Sequence, residues 1–271
     1  YEGVSLNDKL LKGPDLLVNL IKPLLKMRMN QIAFTADVQQ MFHRMKICLR
    51  DQQCQRILFR ENPSQPVKTL ILDVMAFGPT CSPFVSQYVK NWNAENWKEK
   101  YPEASQTIIN QMYMDDIIAS EPTVDKAISR ALECIEICKH INWNLISFQS
   151  NSLEFLKGLP GDNVKQELMP ILANEAEGFT TKVLGCNWDT VSDTFLFQLD
   201  RNIFIKLVTE FNHHPTKRDQ ASTVARIYDV LGLISPFVIR GKILLQRSWK
   251  LKINWDDAIP EDIQDDWRSW L

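Results

Sequence analysis

The sequence has 271 residues, 45% of them hydrophobic and 24% charged, with only 9 Gly and 13 Pro. A chain of this kind can bury a sizeable core in one large or two small domains. Its composition excludes a disordered tail, a collagen-like repeat and a disulfide scaffold. The net charge of −2 hides an alternation: residues 1–60 carry ten Lys or Arg against five Asp or Glu, 61–200 ten against nineteen, 201–250 nine against three, and 251–271 two against six. Basic segments flanking an acidic centre suit a protein that grips a polyanion at its edges and holds cations in the middle, the alternative being charge scattered over solvated faces. Apolar runs such as Val230-Leu231-Gly232-Leu233-Ile234 fall far short of the roughly 20 residues needed to cross a bilayer, so no membrane partner is expected. Cys48, Cys54, Cys81, Cys134, Cys138 and Cys186 form no CxxC pair and read as free thiols in a reducing compartment, and His43, His140, His213 and His214 lack a partner at zinc spacing.

In chain order, residues 14–29 place Leu17, Leu20, Ile21, Leu24 and Leu25 at helical spacing, with Pro23 expected to kink or shorten the helix. Gln31 to Val38 is a short β-like run that ends in an acid, Asp37. Residues 55–61 and 67–77 read as a hairpin across Asn62-Pro63-Ser64-Gln65-Pro66, and 83–98 as a helix bearing Phe84, Tyr88 and Trp92. Thr107–Met114 and Ile117–Ser120 look like two strands meeting at Asp115-Asp116. A helix at 124–140 follows, with Ala127, Ile128, Ala131, Leu132, Ile135 and Cys138 on one face. Val183–Trp188 and Thr194–Leu199 suggest a third hairpin. Beyond about residue 200 the chain turns helical and basic, which places a domain boundary there.

Three constellations carry chemistry. In Tyr113-Met114-Asp115-Asp116 two adjacent carboxylates lie between apolar neighbours, where each raises the cost of ionising the other and a bound divalent cation relieves the repulsion. A solvated turn is the plainer reading. Asp37, alone, is an ordinary cap or turn residue; joined to the Asp pair, it completes the three carboxylates that two-metal nucleotidyl transfer requires. Phe77-Gly78-Pro79-Thr80-Cys81-Ser82-Pro83 is a Gly/Pro turn opening a helix, either a plain connection or a surface that can lie under a base pair.

The order and spacing of Phe34-Thr35-Ala36-Asp37-Val38-Gln39-Gln40-Met41-Phe42, then Phe77-Gly78 with Ser82-Pro83, then Tyr113-Met114-Asp115-Asp116 resemble the A, B and C motifs of reverse transcriptases. The run from Ser5 to Leu17, Thr216-Lys217-Arg218, and Ile227 to Pro236 leading into Gln246-Arg247-Ser248-Trp249 resemble, more narrowly, the polymerase of BEL/Pao-type LTR retrotransposons. The likeness covers essentially the whole chain. It implies an α+β right-hand palm, an antiparallel sheet with helices on one face, with partial fingers and a helical thumb or connection. The implied domains are a fingers remnant at 1–29, a palm at 30–200 with an inserted fingers hairpin at about 47–77, and a basic thumb at 201–271.

The same resemblance implies RNA-directed DNA synthesis with two Mg²⁺ ions, or Mn²⁺ in their place. Asp37, Asp115 and Asp116 would be catalytic and hold the metals with the Val38 carbonyl. Phe42, Gly78 and Tyr113 would contact the incoming nucleotide, Phe42 as a gate against a 2′-OH. Ser82, Pro83, Leu184, Gly185, Lys217 and Arg218 would meet template and primer, Leu184 and Gly185 within Val183-Leu184-Gly185-Cys186-Asn187-Trp188, which resembles a primer grip. The implied partners are an RNA or DNA template with its primer and dNTPs. The implied setting is a cytoplasmic virus-like particle or the nucleus, with protease, RNase H and integrase adjoining in a parent polyprotein.

The chain departs from the family in three places. Asp229-Val230-Leu231-Gly232 stands where the family has Asp-Pro-Leu-Gly. Leu145-Ile146-Ser147-Phe148 stands where it has Leu-Arg-Lys-Trp, so Ser147 replaces a lysine proposed to protonate pyrophosphate. The fingers Lys/Arg would lie ahead of Tyr1. The alternatives are a decayed or domesticated copy that binds nucleic acid without polymerising, and an interaction domain with incidental acids.

Overall fold

The computed structural model describes residues 3–165, 168, 180–197 and 214–271. Two compact units divide the chain, Tyr1–Gly178 and Phe179–Leu271. The division falls ahead of the boundary expected at about 200, and within the second unit the turn at Gly185 abuts the Tyr228 ring.

The first unit is built on a four-stranded antiparallel sheet in the order β4-β5-β1-β6, from β1 (Ile32–Val38), β4 (Met112–Tyr113), β5 (Asp116–Glu121) and β6 (Leu145–Ser150). Strand β1 is central and, apart from half-buried Asp37, wholly buried, which explains its continuous apolar reading. Phe34 stacks on Phe155 at 5.0 Å and on Phe148 at 6.3 Å, and Ser150 Oγ donates to the Ala33 carbonyl at 2.6 Å. Helices α3 (Ser82–Asn96), α4 (Pro102–Gln111) and α5 (Val124–Lys139) pack side by side, α4 and α5 also against the sheet. Short helices α1 (Ile21–Met27), α2 (Leu49–Gln52) and α6 (Leu153–Lys157) complete this unit.

Two expected elements differ. The helix expected over 14–29 is only Ile21–Met27, with Pro23 buried in its first turn, where a missing N–H costs nothing. The strand expected over Thr107–Met114 is mostly helix α4, leaving two strand residues. Its apolar Ile108 and Ile109 fit either period, and Pro102 at the first helical turn decides for helix. The expected hairpin at 55–77 is a two-stranded ribbon, β2 (Arg56–Phe59) and β3 (Lys68–Ile71), with every side chain exposed.

The second unit holds a three-stranded meander, β7 (Thr180–Val183), β8 (Cys186–Asp189) and β9 (Thr194–Leu196), so one strand precedes the expected hairpin. Helices α7 (Lys217–Arg226), α8 (Ser235–Lys250) and α9 (Glu261–Trp270) follow. The basic segment expected across 201–213 and the end of the expected strand at 198–199 lie outside the described residues. Thr216 and Asp219 form a capping box that starts α7. Val224, Leu244, Ile259, Ile263, Trp267 and Trp270 form the core. Gly241 admits the Trp270 indole so closely that a Cβ there would stand 2.5 Å from the ring.

Phe34 is fully buried between two stacked rings on the strand that carries Asp37. Phe34→Ala is therefore expected to cost about 3–5 kcal/mol of unfolding free energy. Urea denaturation measures it, and a loss under about 1 kcal/mol would contradict a close-packed aromatic core.

Candidate active site

Strand register brings the acids together. Asp37 on β1 pairs directly with Asp116 on β5, and the Val38 N–H donates to the Asp115 carbonyl at 3.0 Å. Met114 turns the hairpin with φ +52°, a left-handed conformation costing an L-residue roughly 1–2 kcal/mol, and so swings Asp115 beside Asp37.

All three carboxyls titrate above the ordinary carboxylate range. Burial lifts Asp116 most, to about 7, with the charges of Asp115 and Asp37 adding to it. Asp37 is raised by burial and then by Asp115, and Asp115 by burial. Among the described residues no Lys or Arg pairs with any of them. Nor do three His, Cys, Asp or Glu side chains already stand in ion-holding geometry among those residues. The trio is thus a set of mutually repelling oxygen donors rather than a formed cage. All-oxygen donors with uncompensated charge are the chemistry that suits a hard divalent cation such as Mg²⁺ or Mn²⁺.

Around the acids, Phe42 is buried in a short 3₁₀ turn and meets Phe77 edge-on at 5.0 Å. Tyr113, half-buried, is the last β4 residue before the turn. Gly78 has φ +106° with open space where a Cβ would stand, so the backbone conformation alone calls for glycine. Asn7 holds the Gly78–Thr80 turn at two points, donating to the Gly78 carbonyl at 3.0 Å and accepting from the Thr80 N–H at 2.9 Å. Ser82 is buried and donates to the Ala76 carbonyl at 2.9 Å, so it shapes the turn; Pro83 opens α3. Ser147 sits at a bulge of β6 against β1 with φ +57°, where a lysine would share the backbone strain.

Leu184 and Gly185 belong to the second unit and form the turn between β7 and β8, with φ +46° and +86°. A Cβ on Gly185 would come within 2.9 Å of the Tyr228 ring. The basic pair expected to meet nucleic acid divides: Lys217 is engaged internally, whereas Arg218 is exposed. Lys217 is buried, donates to the Ile253 carbonyl at 3.0 Å and lies 4.2 Å from the Trp249 ring centre. Arg218 makes a two-point pair with Asp256, at 2.7 and 3.0 Å. Lys217 in particular has no face to offer a phosphate.

Three further residues are not apparent from the sequence: Asn7 at the Gly78–Thr80 turn, and Gln87 and Lys90 at the acid-bearing hairpin. Helix α3 is inverted, burying Ser86, Gln87, Lys90 and Asn93 while Tyr88 and Trp92 are exposed. The Gln87 amide donates to the Met114 carbonyl at 3.2 Å, and the Lys90 ammonium to the Met112 carbonyl at 3.3 Å. The three-residue spacing of Gln87 and Lys90 was the available signal.

A family model described as a Pao retrotransposon-like RNaseH-like domain matches residues 216–271. Two solved structures are similar to the chain over nearly its whole length. One is a foamy viral protease-reverse transcriptase in complex with double-stranded DNA, at TM-score 0.55 and 11% identity, covering 96% of this chain and 38% of that one. The other is a foamy viral protease-reverse transcriptase in complex with an RNA/DNA hybrid, at TM-score 0.51 and 11% identity, covering 94% and 28%. The chain shares the fold of a retroviral enzyme. It spans well under half the length of those chains, and no curated protein matches it. What is shared is a mixed α+β fold with antiparallel sheets, joined to a carboxy-terminal segment similar to a retroelement nucleic-acid-processing domain.

The raised carboxyls give a signed pH dependence. A group whose folded pKa exceeds its unfolded value binds more protons when folded, so its stability contribution is fully present below 3.8 and is lost as pH rises through about 7. In chelator-containing buffer the protein should lose stability across that window. Asp116→Asn should flatten the decline and leave the variant the more stable of the two above neutrality. Equal pH slopes for parent and variant in thermal melts would contradict the burial of Asp116.

Proposed function

We propose that the chain is the polymerase region of a retroelement polyprotein, with residues 1–178 as palm and partial fingers, and that it extends a primer 3′ end with dNTPs on an RNA or DNA template. One observation carries the reading: three half-buried carboxylates without a basic partner among the described residues, converged by strand register. Supporting it are the motif order along the sequence, the fold likeness, and the nucleic acids bound by those neighbours.

Asp37, Asp115 and Asp116, with the Val38 carbonyl, would hold divalent cations. When bound, these would supply electrostatic stabilisation to the primer oxygen and the departing pyrophosphate. Desolvation keeps the carboxyls responsive to such charge, and the Val38–Asp115 backbone bond fixes the hairpin to β1. Phe42 would close the floor beneath the sugar, braced by Phe77. The Gly78–Pro83 turn, pinned by Asn7 and Ser82, would support the templating base pair. Tyr113 would line the approach of the primer end. Lys217, being buried, takes no part in this proposal, whereas exposed Arg218 remains a candidate for duplex phosphate.

A second reading, an RNase H-like nuclease, has the match at 216–271 in its favour. Most acids of that segment serve local roles: Asp219 in the capping box, Asp256 on Arg218, Asp262 and Asp266 on Arg247, Asp229 on the amides of Leu233 and Ile234. The polymerase reading is favoured because strand register brings its three acids together and burial raises all three, with neighbouring carboxylate charge adding at Asp37 and Asp116.

Asp37→Asn and Asp115→Asn should each cut Mg²⁺-dependent primer extension by roughly 10²–10³-fold or more, with duplex affinity held within about threefold because phosphate contacts supply it. Undiminished extension contradicts the assignment. Degradation of the RNA strand of a hybrid, equal in parent and both variants, favours the nuclease. In a single-nucleotide competition assay, Phe42→Ala should lower the preference for deoxy- over ribonucleotides by roughly tenfold or more, since one steric contact is worth about 1–3 kcal/mol. An unchanged ratio leaves Phe42 a core residue.

A further inference from the structure

Lys90 is the chain's most deeply buried lysine among the described residues, only 1% exposed, and neither the sheet chemistry nor any carboxylate accounts for it. A lysine taken out of water without an acidic partner is costly, and burial lowers its pKa to about 8, with Cys138 on α5 nearby. A methionine would fill the same space without that cost. What the ammonium does have is the Met112 carbonyl at 3.3 Å, and one turn earlier on α3 Gln87 donates to the Met114 carbonyl at 3.2 Å. Those two carbonyls bracket Tyr113 immediately before Asp115-Asp116. The hairpin needs holding from outside, because β4 has only two residues and its turn carries a left-handed Met114.

We infer that Lys90 is a positioning residue which, with Gln87, braces the backbone of the acid-bearing hairpin from α3 and so fixes where Asp115 and Asp116 point. The inference deepens the proposed polymerase reading and, in its catalytic arm, rests on it. The buried polar stripe of α3 is the physical device: the helix turns Ser86, Gln87, Lys90 and Asn93 inward, and two of them end on hairpin carbonyls.

The test is Lys90→Met, which keeps the volume and removes the donor, read three ways on the 271-residue protein. Thermal melting should show a variant as stable as the parent or more so, since an ammonium no longer has to be buried. Hydrogen exchange of the Met112–Ile117 amides should quicken by roughly fivefold or more, with protection elsewhere in the sheet unchanged. Primer extension should show kcat lowered by roughly 10–100-fold, as small misplacements of reacting groups produce, with KM for dNTP and affinity for primer-template nearly unchanged. A stable variant with parental exchange and parental kcat overturns the brace. So does a variant that no longer folds, because the lysine is then a global core element. If the parent itself extends no primer, the polymerase reading fails, and the exchange measurement decides the brace on its own.

Discussion

Like charge held close, half withdrawn from water and without a counter-charge among the described residues is the constraint on which the site depends. Asp37 faces Asp116 across a strand pair, Asp115 adds a third carboxyl, and burial pushes Asp116 up to about 7. Left to itself such a cluster weakens the fold as it ionises. The surroundings supply the opposing rigidity: the stacked rings of Phe34, Phe148 and Phe155 behind β1, the Val38–Asp115 backbone bond, and the polar stripe of α3 beneath the hairpin. The sheet holds in place acids that would otherwise move apart.

The same logic separates the two halves of the acidic inventory. Across 216–271, Asp219, Asp229, Asp256, Asp262 and Asp266 each meet an amide or an arginine close by, so those charges serve local architecture. That segment is similar to a retroelement RNaseH-like domain, and the chain shares the fold of a foamy viral enzyme. The three carboxyls that strand register brings together and that burial raises, Asp37, Asp115 and Asp116, sit in the first unit, and the chemistry is proposed there for that reason.

Much of this was legible in the sequence, because period and punctuation are local. The buried run Ile32–Val38, the proline-bounded ribbon, the start of α3 at Ser82-Pro83 and the amphipathic α5 all follow from pattern, whereas the meeting of Asp37 with Asp115-Asp116 was legible only through the motif order and the chemistry of three acids. The illegible parts turn on tertiary context. Residues 107–111 satisfy helix and strand periods alike. Lys217 reads as a surface cation until Trp249 and Trp255 enclose it. Helix α3 was legible as a helix bearing Phe84, Tyr88 and Trp92, but which face it buries was not, because the hairpin carbonyls that take Gln87 and Lys90 are set by tertiary contact.

The central claim, that these three aspartates form an uncompensated cation-binding set, is tested most directly by following their carboxyl carbons by nuclear magnetic resonance through a pH titration, with and without Mg²⁺. The account predicts that without the cation Asp116 titrates near 7, well above the ordinary 3.8, and that Mg²⁺ drives its midpoint down as the ion takes the place of the proton. An Asp116 that titrates in the ordinary carboxylate range and does not respond to Mg²⁺ would contradict it.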